Sequence, residues 1–180
     1  MKSLIIAGVN IYKCKILHRS KTELLYLTPN NRVLKVCKNV DNCRREYLIL
    51  RYASGNKYFP KVFEYRTGYI LREYVNGICI IDYIKKNSLD ENLALSLVDI
   101  IENFEKLEFT RLDTGLSHIF ITKSGELKVI GLKNNCSRKE KYPKHMLNGL
   151  RKLKVSKKFF KILKHKRPDL YSKWKKWLWC

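Results

Sequence analysis

Acidic residues are scarce: 16 Asp and Glu stand against 38 Lys and Arg, a formal net charge of +22. So basic a surface attracts polyanions, whether nucleic acid, acidic lipid or acidic protein, and carries no information about fold. Long hydrophobic runs are missing. The one early apolar stretch, "LIIAGV", is too short for a signal-peptide core or a membrane span, so no transmembrane segment is expected. The six cysteines (Cys14, Cys37, Cys43, Cys79, Cys136 and Cys180) contain no C-x-x-C pair and have no histidines near them at zinc spacing. Neither a metal site nor a disulfide framework is therefore expected. Reduced, mostly structural thiols and a cytoplasmic location are the expectation. Internal repeats and low-complexity linkers are absent too.

What is present suffices for a folded core: 45% of the residues are hydrophobic, enough for one domain or two small lobes. The first third is β-prone. "CKILHRS", "ELLYLTP" and "RVLKVCK" read as strands, the last two separated by the turn signal Pro29-Asn30-Asn31. "DNCRREYLILRYAS" changes period and reads as a helix capped by Asp41 or Asn42 and closed before Gly55. "KVFEYRTGYILREYV" returns to strands around a Thr67-Gly68 turn.

Beyond Asn76-Gly77 the pattern turns helical. "ICIIDYIKKN" reads as a short amphipathic helix. "SLDENLALSLVDIIENFEKLEF" reads as a long one, capped by Ser88 or Asp90, with Leu93, Leu97, Ile100, Ile101 and Phe104 along one stripe. "HIFITKSGELKVIG" is a hairpin turning at Lys123-Ser124-Gly125, and the tail from Met146 is helical and basic, interrupted at Arg167-Pro168. Strands, one helix, strands, a hinge, then helices around a hairpin predict two lobes joined near Glu73–Gly77.

From Cys14 to Leu132 this order resembles the protein-kinase-like superfamily in a small bacterial form. "RVLKVCK" is similar to the strand that carries the family's phosphate-pairing lysine, which falls on Lys35. Glu46, in "CRREYLIL", matches the helix glutamate that pairs with it. "YILREYVNG" resembles the strand and hinge that hold an adenine ring, with Glu73, Tyr74 and Val75 as hinge backbone. "RLDTGLSHIFITKSGELKVIGL" is similar to the catalytic loop and metal-binding hairpin, and places Asp113 at the base-positioning aspartate.

Several positions depart from that pattern. His118 stands where the family has a magnesium-binding asparagine, Gly131 where it has a magnesium-binding aspartate, and Arg111 where it has a histidine. No glycine-rich loop precedes Lys35; the corresponding turn is "HRSKTELLY". Magnesium needs hard oxygen ligands in tight octahedral geometry; glycine has no side chain and imidazole is a poorer ligand. Without the metal, the charge developing on a transferred phosphoryl group is left to Lys35, a loss of many orders of magnitude in rate.

The resemblance thus implies an α+β, two-lobed protein-kinase-like fold, with a small β-rich N-lobe over residues 1–76 and a shortened helical C-lobe over 77–180. The C-lobe holds the catalytic-loop hairpin at 111–132 and the basic helices at 146–179. No alanine-proline-glutamate motif follows Gly131. The function implied is a pseudokinase, a binding or regulatory module with weak or no phosphotransfer that acts on a protein partner. Its cofactor residues would be Lys35, Glu46, Glu73, Tyr74 and Val75; ATP would bind without metal, no magnesium is expected, and no residue is assigned to a metal. One alternative is a divergent, active ATP-dependent serine/threonine or small-molecule kinase that recruits metal through Glu126, Asn134 or Asn135.

Plainer readings stand beside these. Lys35 is either a solvent-reaching strand lysine or half of an ion pair with Glu46. Asp113 is either a turn aspartate bonding nearby backbone N–H groups or a relic of base catalysis, and His118 is a packed or hydrogen-bonded loop residue. The tail 151–180 carries twelve Lys and Arg against the single acid Asp169, with Leu170, Trp174 and Trp177 along one stripe. Either its apolar face packs and its lysines are solvated, or its lysine face contacts a polyanion, nucleic acid or anionic lipid. The last of these gives a third function class, a polyanion-binding protein.

Overall fold

A computed structural model describes residues 4–132, 136 and 139–178, the side chains of residues 177 and 178 excepted. The protein is mixed α+β. It divides into two compact units, Met1–Asn76 with Gly131–Asn134 and Gly77–Ile130 with Asn135–Cys180.

In the first unit, strands β1 (Ile5–Ile6) and β2 (Val9–Asn10) form a small hairpin whose turn is Ala7 and Gly8, both at positive φ. A 3-10 turn at Ile11–Lys13 leads to β3 (Lys15–Arg19), β4 (Glu23–Leu27), β5 (Arg32–Cys37), helix α1 (Val40–Tyr52), β6 (Val62–Arg66) and β7 (Tyr69–Glu73). The five longer strands make one antiparallel sheet in the order β3-β4-β5-β7-β6. Between β4 and β5 the expected turn forms: Asn31 takes a left-handed conformation and the Thr28 hydroxyl accepts from the Arg32 N–H at 3.1 Å. Gly68 does the equivalent for β6 and β7, with φ of 91°.

Because side chains alternate along strands, the sheet has two different faces. One carries Tyr26, Leu34 and Leu71, packed with Ile6, Val9, Ile11 and Cys14 from the N-terminal segment. The other carries Val33, Lys35, Ile70 and Arg72, and there α1 buries Cys43, Glu46, Ile49 and Leu50. Tyr47 of α1 stacks on Tyr65 of β6, ring centroids 4.1 Å apart. The cap of α1 is Asn39, whose side chain accepts from the Asn42 N–H at 2.8 Å, rather than Asp41 or Asn42 themselves.

The second unit begins with β8 (Gly77–Cys79), followed by α2 (Ile80–Asn87), α3 (Glu91–Lys106), β9 (Ile119–Thr122), β10 (Leu127–Val129), α4 (Lys144–Lys152), α5 (Ser156–Lys166) and α6 (Pro168–Trp174). Ile78 and Cys79, expected in a helix, instead form a strand that pairs with β9, making the sheet β10-β9-β8. A Cβ added to Gly77 would lie 2.5 Å from the Ile121 carbonyl oxygen, so this strand requires glycine at its start. Helix α3 is capped by Asp90, while Ser88 adopts a left-handed conformation. The expected stripe of Leu93, Leu97, Ile100, Ile101 and Phe104 is buried, joined by Ala94 and Val98. Helix α4 starts at Lys144, two residues before the expected Met146, because a distant side chain caps it. The Arg167-Pro168 break forms as expected, with Pro168 opening α6.

Candidate functional site

Lys35 lies at the centre of the first unit's sheet, on the face that α1 covers. Its ammonium donates to Glu46 at 2.7 Å and lies 2.9 Å from a Glu23 carboxylate oxygen. Lys35 and Glu46 are almost completely buried. Burial alone would lower the lysine pKa; the two carboxylates, Glu46 foremost, outweigh it and hold the group above its ordinary value. Lys35 and Glu46 thus meet at the expected spacing. Glu23 was not anticipated, and it gives the ammonium a second counter-charge.

A second buried cation occupies the same face. Arg72 is the β7 partner of Val33, and its guanidinium donates to the Glu73 carbonyl at 3.0 Å while its Nε is buried without a hydrogen-bond partner. Desolvation lowers its pKa, opposed most by Glu46. An arginine directly after the apolar run Tyr69-Ile70-Leu71 of β7 is the sequence signal for it. Glu73, Tyr74 and Val75 follow from the end of β7. The Glu73 carboxylate accepts from the Lys61 N–H at 3.0 Å, and its own N–H donates to the Lys61 carbonyl at 2.8 Å. Tyr74 is half-buried and Val75 buried.

Asp113 belongs to the second unit and is only 1% exposed. The residue before α4 is Pro143, which has no side-chain acceptor to cap the helix. Asp113 supplies one from thirty-two residues away: its Oδ1 accepts from the backbone N–H of His145 at 3.0 Å and of Met146 at 3.4 Å. These are the second and third helical positions, the ones an N-cap side chain serves, and the negative charge suits the helix terminus. Oδ2 accepts from Nδ1 of His145 and lies 3.6 Å from the Arg111 guanidinium. Backbone bonds from Leu112 and to Thr110 pin Glu140 beside this loop and bring α4 to it. His145 and Arg111 are therefore the partners that sequence reasoning missed. Thirty-two residues between Asp113 and His145 hid that contact, whereas Arg111 lies only two residues before Asp113.

His118 is exposed in the 3-10 turn Leu116–His118, and its carbonyl accepts from the Ile130 N–H at 2.9 Å. Gly131 has φ of 80°, so the chain leaves β10 through a left-handed residue, and glycine there has a backbone reason. Glu126 is exposed in the β9–β10 turn, where its N–H donates to the Thr122 hydroxyl at 3.1 Å. Asn134 and Asn135 lie outside the described residues, as does Cys180. Among the described residues, no group of three or more His, Cys, Asp or Glu side chains is placed to hold a metal ion, and no helix is long and apolar enough to cross a membrane.

In the tail, Phe159, Phe160, Leu163, Leu170 and Trp174 are buried, whereas Lys157, Lys158, Lys161 and Lys164 are exposed. The Trp177 side chain lies outside the described residues. Lys166 and Arg167 are committed to acids, Lys166 to Glu91 at 2.8 Å and Arg167 to Glu102 at 2.6 Å and Asp169 at 2.9 Å. Glu102, then Asp169, hold the Arg167 guanidinium above its ordinary value.

Two elements define the protein at this level: an antiparallel sheet with a buried Lys–Glu pair against one helix, and a mostly helical unit whose loop aspartate caps a later helix. Compared with models of protein families and with curated proteins, the chain matches none.

Proposed function

We propose that the protein is a pseudokinase of the protein-kinase-like fold, with the first unit as the β-rich lobe and the second as a shortened helical lobe. It binds or regulates a protein partner and transfers phosphate weakly or not at all. The observation that carries this reading is the state of Asp113. A base-positioning aspartate must present a carboxylate oxygen to an acceptor hydroxyl. Here both oxygens are committed to α4, His145 and Arg111, and the residue is enclosed. The second counter-charge on Lys35 supports the same reading, because an ammonium held by Glu46 and Glu23 has less attraction left for a phosphate. Nucleotide, where bound, is held through Lys35 and the Glu73–Val75 segment without a metal.

Thermal unfolding with millimolar ATP, with and without magnesium, tests this. A ligand that binds the native state raises the midpoint in proportion to ln(1 + [L]/Kd). The proposal expects the same shift in both conditions. A shift that requires magnesium favours the active-kinase alternative instead.

The exposed lysines of α5 support a second reading, contact with a polyanion. Their apolar neighbours are already packed, so the basic face is free for solvent or phosphate. Binding to single-stranded nucleic acid that weakens steeply with salt and ignores ATP supports it. Binding to anionic vesicles alone points to lipid.

A further inference from the structure

Lys35 and Glu46 fix how β5 meets α1, and that register places a second pair of residues together. Two residues beyond Lys35 on the same face of β5 stands Cys37; three residues before Glu46, one helical turn back along α1, stands Cys43. Strand and helix therefore meet at two successive rungs, an ion pair and a pair of thiols. Cys37 is the β4–β5 partner of Glu23, whose carboxylate reaches Lys35, so it stands on the sheet face that α1 covers and into which Cys43 is buried. Cys43 is fully buried, while Cys37, at the end of its strand, is half-buried. Cys14 packs on the opposite face of the sheet and takes no part.

We propose that Cys37 and Cys43 form a dithiol site reactive toward peroxide, with Cys37 the attacking sulfur and Cys43 the resolving one. This inference does not depend on the kinase reading. The roles follow from exposure and charge. The neighbouring Cys43 thiol holds the Cys37 thiol below its ordinary pKa; burial opposes this, and Lys35 assists. The proximity of Cys37, with burial, pushes Cys43 up. A thiolate within reach of solvent beside a buried thiol is the arrangement of a reactive cysteine with its resolving partner.

With hydrogen peroxide as oxidant, the Cys37 thiolate attacks one peroxide oxygen and the O–O bond breaks. The departing hydroxide takes a proton to become water, leaving Cys37 as a sulfenic acid. The charge that raised Cys43 is then gone. Cys43 gives up its proton, and its sulfur attacks the Cys37 sulfur. An S–S bond forms, the S–O bond breaks, and hydroxide leaves with that proton as a second water. Two electrons from the two thiols have reduced one peroxide. The disulfide ties β5 to the first turn of α1, beside the Lys35–Glu46 pair.

The test treats the folded full chain with hydrogen peroxide, then maps its peptides. The expected product is a chain lighter by two hydrogens, with a Cys37–Cys43 cross-link that dithiothreitol reverses. In Cys43→Ser, Cys37 accumulates as a sulfenic acid labelled by dimedone; in Cys37→Ser, Cys43 stays reduced. Cys37 also alkylates several-fold faster in the folded chain than in urea at the same pH. Cross-links that join other cysteines at random overturn the proposal. So does a Cys37 that reacts no faster folded than unfolded.

Discussion

The Oδ1 atom of Asp113 accepts a hydrogen bond from the backbone N–H of His145 at 3.0 Å, joining the loop before β9 to the start of α4. An acidic side chain at this point in a loop has two readings from sequence, turn former or base. The structure gives it a definite job, completing the N-terminus of a helix that Pro143 leaves uncapped.

Removing that cap has a local signature. Asp113→Ala leaves the His145 and Met146 N–H groups without their acceptor, and is expected to cost about 1–3 kcal/mol. Asp113→Asn keeps an acceptor oxygen and loses less. Hydrogen exchange at His145 and Met146 checks this: both amides exchange faster in the alanine variant, ahead of α3.

Lys35→Met is expected to destabilise the protein by about 3–5 kcal/mol, the usual consequence of leaving buried charge unpaired. Glu46, almost completely buried, loses its ion-pair partner, and Glu23 loses its contact with Lys35. Urea denaturation of the variant beside the wild type measures it. A variant as stable as the wild type would mean that the pair contributes nothing to the fold.

The same pair sets an alkaline dependence. Because the folded pKa of Lys35 is raised, its stabilisation is fully present below the unfolded value of about 10.4 and is lost as pH climbs through the folded value. The stability difference between wild type and Lys35→Met is therefore flat from neutral pH to the unfolded value, and shrinks above it. Denaturation midpoints of both proteins across that range give the curve.

Gly77→Ala brings a Cβ to within 2.5 Å of the Ile121 carbonyl oxygen and forces β8 away from β9. Overpacking against backbone costs about 1–3 kcal/mol. The loss of exchange protection should concentrate at Ile78 and Ile121, which face each other in that ladder.

Local signals in the sequence located most elements. The β4–β5 and β6–β7 turns follow from Asn31 and Gly68, and the core stripe of α3 follows from its period. What the sequence hid was set by distant partners. Ile78 and Cys79 run directly into helical residues, and only pairing with β9 makes them a strand. Asn39 caps α1 from behind Val40, an apolar residue that made Asp41 look like the natural start. The "LIIAGV" segment held a hairpin too short for any periodic pattern. At the site, Lys35 and Glu46 were legible because one strand and one helix near in sequence carry them. Glu23 and Arg72 were not, since sheet register brings them to the face that holds Lys35, and in the second unit His145 was not, since it meets Asp113 through a long-range contact.

The central claim is tested most directly by single-turnover phosphotransfer from ATP labelled in its γ-phosphate, with excess protein and magnesium. The account predicts that label appears on the protein or as inorganic phosphate at, or barely above, the rate without protein. Label transfer at a steady rate, abolished in a folded Asp113→Asn variant, would contradict it and establish the active kinase in its place.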